Sequence, residues 1–328
     1  MDFDKLFGSF SNYKVGVIGD VMLDTYWWGH VDRISPEAPV PVVLLDKSET
    51  RIGGAGNVAL NLISLGAPTS IFTVIGEDEA GKLLGNLIKD QGIDTSYIIC
   101  NNTRKTTNKT RVISRSQQMM RLDAETTTDL ATDAEDALIA KVKEYIQLEK
   151  PAVIIFEDYN KGVLTERVIK EVIAVCQKHN VITAVDPKRK NFFSYQGVNI
   201  FKPNLKEVKE GLNLLLDKID ITTLRNIHQL LKDKLNHQVS FITLSELGVF
   251  FQQQADASII PSHLRTIADV SGAGDTVIAV ASLLYAATGD VKMMAAIANI
   301  AGGLVCEEIG TAAINKATLL NECKLLLN

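Results

Sequence analysis

Only four residues are cysteine, Cys100, Cys176, Cys306 and Cys323, and no two stand at metal-ligand spacing. That excludes a disulfide framework and a cysteine zinc site, and it fits a reducing compartment, the cytoplasm. There is no uncharged apolar run of about 18 residues, so no membrane-spanning helix is expected. Residues 1–12 carry Asp2 and Asp4 and lack an apolar stretch ending in a cleavage site, so no secretory leader is expected. Positive charge is also in short supply: 34 Lys and Arg against 39 Asp and Glu leave a net charge of −5. General attraction to nucleic acid or to an anionic membrane is therefore excluded, and an anionic ligand must be held by a local basic cluster.

What the sequence does have is apolar residues, 46% of the chain, in an alternating rhythm. Short β-branched runs at 14–18, 70–75, 152–156, 181–185 and 239–244 read as strands. Longer patterns at 57–65, 80–91, 134–148, 166–179, 224–235, 274–287 and 291–308 read as helices. Strands alternating with helices predict an α/β fold, a mainly parallel central sheet with helices on both faces. Two regions break the rhythm. Residues 27–47 hold Pro36, Pro39 and Pro41 and the β-rich run 40–45, and residues 106–122 alternate polar and apolar residues without a helical period. Both are read as strands of a small β lid, from about 25–50 and 105–123. No linker or repeat interrupts residues 1–328, so one domain with a lid is expected.

The segment Asp269-Val270-Ser271-Gly272-Ala273-Gly274-Asp275-Thr276 carries the strongest chemical signal. Small residues at a helix start leave backbone N–H groups free, and the helix adds partial positive charge, which together make an anion site. A carboxylate there would repel a bound phosphate. It makes sense if Asp275 is a general base that takes a hydroxyl proton as a phosphoryl group arrives. The plainer reading is a glycine turn with Asp275 as an N-terminal helix cap.

A second glycine run, Arg51-Ile52-Gly53-Gly54-Ala55-Gly56-Asn57-Val58-Ala59, matches a dinucleotide fingerprint at Gly54-x-Gly56-x-x-Ala59. That fingerprint belongs after the first strand of a sheet, a place residues 14–18 already fill, and no acidic strand end follows at the expected distance. Gly54 is read instead as allowing close approach of a sugar, with Asn57 offering its amide. The alternatives are a nicotinamide enzyme and simple tight helix packing. The run Gly76 to Leu83 almost spells a phosphate loop, but its last residue is Leu83 and Glu77, Asp78 and Glu79 lie inside it. It is read as a surface turn.

Asp20 and Asp24 follow the first strand, where ligands of open α/β sheets bind, and carboxylates there suit sugar hydroxyls. Residues 101–122 carry Arg104, Lys105, Lys109, Arg111, Arg115 and Arg121 without one acid. In an acidic chain this points to an anionic ligand such as a substrate phosphate, or to an edge strand charged against aggregation. Asn204 and Glu207 begin a helix after Lys202-Pro203. They suit the water shell of Mg²⁺, or simply cap the helix.

Together these segments resemble the ribokinase/PfkB family of carbohydrate kinases, from Gly19 to about Gly310. The motif 269–276 and the glycine run 53–59 are the most specific marks. Within the family the resemblance is closest to the heptose 7-phosphate kinases, including the kinase half of the bifunctional RfaE/HldE type. The supporting runs are Gly19 to Asp24, Arg33 to Val42, Thr110 to Gln118 with Arg121 to Asp123, and Asp158-Tyr159-Asn160-Lys161-Gly162.

The resemblance implies a ribokinase-like fold and ATP-dependent phosphorylation of the anomeric hydroxyl of D-glycero-D-manno-heptose 7-phosphate. It implies Asp275 as base, with the amides of Gly272, Ala273 and Gly274 as anion hole. Asp20, Asp24, Gly54 and Asn57 would bind sugar hydroxyls, and Lys109, Arg111, Arg115 and Lys161 are the candidates for the 7-phosphate. Asn204 and Glu207 would act on Mg²⁺ through water, while Thr243, Gly248 and Asn299 fall where the family contacts nucleotide. A monovalent cation and a homodimer through the lid are also in keeping with the family. The sequence departs from the pattern at Ser271, where threonine is usual, at the glycine run, and at Glu157, which adds a carboxylate before Asp158. No His-x-Gly-His motif is present, so nucleotidyl transfer is not expected. Another sugar kinase of the family and a non-catalytic sugar-binding protein are the remaining alternatives.

Overall fold

The computed structural model describes residues 2–115, 117–216 and 218–327. The strands, in chain order, are β1 (Val15–Gly19), β2 (Val21–Ile34), β3 (Pro41–Gly54), β4 (Thr69–Gly76), β5 (Ile98–Asn101), β6 (Asn108–Ser114), β7 (Gln117–Ala124), β8 (Val153–Glu157), β9 (Ile182–Asp186), β10 (Ile200–Phe201), β11 (Val239–Thr243), β12 (Val249–Gln253) and β13 (Asp256–Ile260). Nine of them form one sheet in the order β13-β12-β11-β10-β9-β8-β1-β4-β5. From β11 to β5 every pairing is parallel, and β12 and β13 add an antiparallel hairpin at the edge. This is the ribokinase-like α/β architecture that the sequence leads one to expect.

The central strands are buried from end to end because helices cover both faces, so they read as unbroken apolar runs. Along β8, Val153 and Ile155 enter one core cluster and Ile154 and Phe156 the other, following the two-residue period of a strand. The first cluster packs the helices Ala55–Leu65, Ala273–Thr288 and Val291–Val305, and the second packs Thr132–Glu149, Glu166–Lys178 and Ile221–Leu235. In the helix Ala273–Thr288 every residue from Asp275 to Leu284 is buried. A helix apolar all round needs partners on all sides, and this one has the sheet below and helices beside it.

The remaining four strands form a separate sheet in the order β3-β2-β6-β7. β2 and β3 are each 14 residues long and pair antiparallel from Val21↔Gly54 to Ile34↔Pro41. β2 starts at the end of β1, so its first half is buried and its second half stands out as the lid. The two stretches read from the sequence, about 25–50 and 105–123, fall in these four strands and the links between them, with residue 116 outside the described residues. Pro36 and Pro39 fall in the link between β2 and β3, where no ladder hydrogen bond is needed.

Away from the lid, β11 holds a buried polar cluster. Ser240 Oγ lies 2.8 Å from His228 Nδ1 and 2.6 Å from His237 Nε2. Burial pulls the imidazole of His237 down to about 3, far below its unfolded value. The unfolded chain then binds the extra proton, so stability is lost as pH falls below about 6.5. Between pH 7 and pH 5 the free energy of unfolding should drop by about 2 kcal/mol more in the wild type than in His237→Gln, read from urea midpoints.

Candidate active site

The carboxyl ends of β1, β8 and β9 come level at Gly19, Glu157 and Asp186. The helix Ala273–Thr288 begins above them, after Gly272 with φ of 79°. A Cβ on Gly272 would come 2.7 Å from Asn57 Nδ2, so the approach of the two motifs requires glycine.

Asp275 stands in the first turn of this helix, 3% exposed. Its Oδ2 accepts a hydrogen bond from Asn57 Nδ2 at 2.8 Å and its Oδ1 one from the Tyr159 hydroxyl at 2.7 Å. Burial drives its pKa up, the two hydrogen bonds draw it back, and the carboxyl ends at about 6. In front of it the amides of Gly272 and Gly274 have no acceptor among the described residues, while that of Ala273 closes a turn onto Val270 O at 3.3 Å. Such a turn, with helix charge behind it, is suited to receive an anion beside a base.

Asn57 lies in the helix Ala55–Leu65, which Gly54 opens with φ of 60°. This glycine run follows β3 of the lid, so it is not the turn after a central-sheet strand that a dinucleotide site requires. Asn57 Oδ1 is buried without a hydrogen-bond donor among the described residues. Asn61 ties the two helices below it: its Oδ1 accepts from Thr276 Oγ1 at 3.0 Å and from Ile314 N at 2.9 Å.

Asp20 is buried and fully engaged. Its carboxylate accepts from the backbone N–H groups of Tyr159 at 2.9 Å, Lys161 at 3.0 Å and Val163 at 3.1 Å. It thus anchors the loop that carries Tyr159 to Asp275. Asp24 is 4% exposed and accepts from Arg111 Nη1 at 2.5 Å. Lys109 lies 3.1 Å from Asp123 and 3.5 Å from Glu125, and Lys161 lies 2.7 Å from Glu125. Asp24, Lys109, Arg111 and Lys161 therefore form one group, balanced by carboxylates. Arg115 stands apart, exposed in the turn after β6.

Asn204 and Glu207 form a reciprocal capping box with both bonds at 2.8 Å. Glu207 also pairs with Lys188 at 2.6 Å, and Lys188 with Asp186 at 3.1 Å. Asp186 meets the buried Lys202 at 2.7 Å. Burial would raise the Asp186 carboxyl, yet its two lysines outweigh that and hold it low. Among the described residues no three His, Cys, Asp or Glu are placed to hold a metal directly. Asn204 and Glu207 thus cap this helix, and both Glu207 oxygens are engaged, one by the Asn204 amide and one by Lys188. Thr243 sits opposite Asn204 in a β-bridge. Gly248 and Asn299 both meet the segment after β13: a Cβ on Gly248 would strike Ile260 O at 2.0 Å, and Asn299 Nδ2 donates to Pro261 O at 2.8 Å.

Two residues of this site, Tyr159 and Lys202, have no role in the sequence reading, and a third, Glu157, stands there only as an added acid. Tyr159 was visible only inside the 158–162 run, and its hydroxyl contact depends on a loop placed by Asp20. Lys202 is 2% exposed, an uncommon fate for lysine that no local pattern signals. Glu157 is fully buried below the helix Ala273–Thr288, and neither carboxylate oxygen has a hydrogen-bond partner among the described residues. Burial, reinforced by Asp186 and Asp275, pushes its pKa well up.

A ribokinase-like sheet and lid, with a carboxylate at a glycine-flanked helix start, define a phosphotransferase of sugars. The chain belongs to the pfkB family of carbohydrate kinases, whose model matches residues 12–318, and it is an enzyme of that class. Its relatives include the bifunctional protein HldE of Aliarcobacter butzleri, 41% identical over 90% of this chain and 61% of the relative. That of Helicobacter acinonychis is 38% identical over 96% of this chain and 66% of the relative. The chain thus spans about three-fifths of the length of the curated relatives it matches. Among solved structures, phosphofructokinase-2 of Escherichia coli in complex with potassium shares the fold with a TM-score of 0.81 at 17% identity, covering 96% of this chain and 100% of that one. Arabidopsis thaliana ribokinase complexed with ribose and ATP gives 0.72 at 16% identity, covering 94% and 98%. Among the described residues no helix is long and apolar enough to cross a membrane.

Asp275 and its surroundings make a clear prediction. A base must be unprotonated to act, so kcat/KM should fall as pH drops through about 6. Asp275→Asn should lower turnover by roughly 100-fold or more while leaving the thermal midpoint unchanged or higher, because a buried charge is removed. Near-normal turnover in this variant would reject the base assignment.

Proposed function

We propose that the protein transfers the γ-phosphate of ATP to the anomeric hydroxyl of D-glycero-D-manno-heptose 7-phosphate, giving the 1,7-bisphosphate for cell-surface polysaccharide precursors. The observation that carries the phosphotransfer reading is the Asp275 carboxylate, raised in pKa and held by Asn57 and Tyr159 beside the free amides of Gly272 and Gly274. In this reading Asp275 takes the proton of the sugar hydroxyl as its oxygen attacks the γ-phosphorus. The bond to the β-phosphate oxygen breaks, and ADP leaves. The amides, fixed in place by the turn, hold the charge that develops on the phosphoryl group as it moves. Mg²⁺, reached through water from Asn204 and Glu207, would neutralise the triphosphate. The nucleotide would lie against Thr243, Gly248 and Asn299.

The heptose assignment rests on the named relatives together with the lid's charges. Asp24 and the unpartnered Asn57 Oδ1 offer acceptors to sugar hydroxyls. Lys109, Arg111 and Lys161 offer cations to a distal phosphate, which a plain sugar would not need. Four free cysteines and an ATP-requiring reaction suit the cytoplasm. A homodimer through the lid fits Trp27, Met120 and Leu122, exposed on the face turned away from Arg111. Trp27→Glu should then shift the sedimentation coefficient to that of a monomer.

A coupled ADP-release assay with D-glycero-D-manno-heptose 7-phosphate, fructose 6-phosphate and ribose tests the substrate. Heptose 7-phosphate should lead in kcat/KM by about tenfold or more. A lead for ribose would overturn the phosphosugar reading. Arg111→Ala or Lys109→Ala should raise KM for the phosphosugar about tenfold and leave KM for ATP unchanged, as loss of one charged hydrogen bond implies. If neither moves it, the phosphate lies elsewhere.

A further inference from the structure

The lid and the loop bearing the catalytic motif belong to different layers, yet one side chain joins them. Arg51 stands near the end of β3, just before Gly54 turns into the helix that carries Asn57. Its Nη1 donates to the carbonyl oxygen of Ile309 at 2.7 Å and to that of Thr311 at 3.4 Å. Glu49 accepts from its Nε at 2.6 Å, and the guanidinium lies 5.4 Å from the centre of the Tyr26 ring. Held on three sides, the planar fork has little freedom to reach elsewhere.

The peptide that Arg51 clasps leads straight to the anion hole. The Gly310 N–H donates to Asp269 Oδ2 at 2.9 Å. Asp269 Oδ1 accepts from Ser271 N at 2.9 Å and from Ser271 Oγ at 2.8 Å. Ser271 adjoins Gly272. Hydrogen bonds, joined by the 309–310 peptide unit, therefore link lid strand β3 through Arg51 and Asp269 to Ser271, the residue just before the Gly272 amide. Gly310 has φ of 75°, and a Cβ there would come 2.5 Å from Arg51 Nη1, so the guanidinium fills the space a side chain would take.

We propose that Arg51 is a positioning residue that couples the seating of the lid to the placement of the 269–274 loop, without touching either substrate. This rests on the kinase reading above. A 2.7 Å hydrogen bond is lost if the lid strand moves by about an ångström, and displacement of that size at the reacting centre costs as much as 100-fold in rate. Lid closure over the sugar and assembly of the anion hole then become one event, which suppresses transfer of the phosphoryl group to water.

The test uses wild type, Arg51→Ala, Arg51→Lys and Gly310→Ala. Each is assayed for coupled ADP release with whichever of heptose 7-phosphate, fructose 6-phosphate and ribose the wild type uses fastest, and for ATP hydrolysis without sugar. Arg51→Ala should lose about tenfold or more in kcat, with both KM values within about threefold of wild type. Added guanidinium ion should restore part of that loss, and it should do nothing for Asp275→Asn. Arg51→Lys should be intermediate, and Gly310→Ala should reproduce the loss with the guanidinium still present. A kcat for Arg51→Ala within about twofold of wild type overturns the proposal. So does a rise in acceptor KM at constant kcat, which would make Arg51 a substrate ligand. A loss that follows a lowered thermal midpoint and resists guanidinium also overturns it, since that is the mark of a structural role. A wild type that phosphorylates none of the three acceptors sinks the kinase reading itself, a result distinct from all of these.

Discussion

The Asp275 carboxylate is held by two hydrogen bonds from distant parts of the chain, Asn57 on one oxygen and Tyr159 on the other. Burial makes the charged form costly, and these two donors offset part of that cost. The balance leaves a carboxyl basic enough to accept a proton yet ionised at neutral pH. Removing either donor would raise the pKa further and free the side chain to turn. Each donor has its own foundation. Asn57 depends on Gly54, whose bare backbone lets the helix start against Asp20 O. Tyr159 depends on the three N–H groups that Asp20 collects. Asp20 thus acts on Asp275 through the loop, and its own oxygens are taken up by the three backbone N–H groups.

Below Asp275 lies a compact set of charges. Lys188 and Lys202 are paired with Asp186 and Glu207, so their pull on Glu157 only partly offsets its burial and its carboxylate neighbours. A buried carboxylate with no partner and two carboxylates as neighbours is most stable when it carries a proton. In that form Glu157 would lie beneath the helix start without adding charge. Its appearance in the sequence as an extra acid near the phosphate path therefore overstated its electrostatic weight. Placement, set by the strand register Gly19↔Glu157↔Asp186, decides its form.

The sheet was legible because its physics is local: buried parallel strands need continuous apolar runs, and helices need their period. The lid was legible as a break in that rhythm. What local patterns could not show was the strand hairpin β12–β13 at the sheet edge, whose Gln252 and Gln253 dilute the apolar signal, nor the closing helix Lys316–Leu326. At the site, glycine runs and strand-end carboxylates stood out by composition. Their pairing did not: that Asp20 would bond backbone, or that Arg111 would reach Asp24, is a consequence of register between β2 and β6. The basic stretch 101–122 contains no acid, yet the fold supplies Asp24, Asp123 and Glu125 from neighbouring strands and turns.

That internal neutralisation bears on how a phosphosugar would be selected. Lys109 and Lys161 share Glu125, and Arg111 is bound to Asp24, so the lid without ligand is not an open basic patch. An arriving phosphate must share cations that already have carboxylate partners, and it gains only the difference between the two arrangements. Asp24 can in turn accept from a sugar hydroxyl once Arg111 leans toward the phosphate. A ligand with both a hydroxyl and a phosphate at the right separation satisfies the carboxylate and the cation together. A plain sugar or free phosphate satisfies one and strands the other. Under the proposed reaction, discrimination would then come from the cost of an unpaired group more than from attraction, which is how polar sites reject ligands that lack one of their partners.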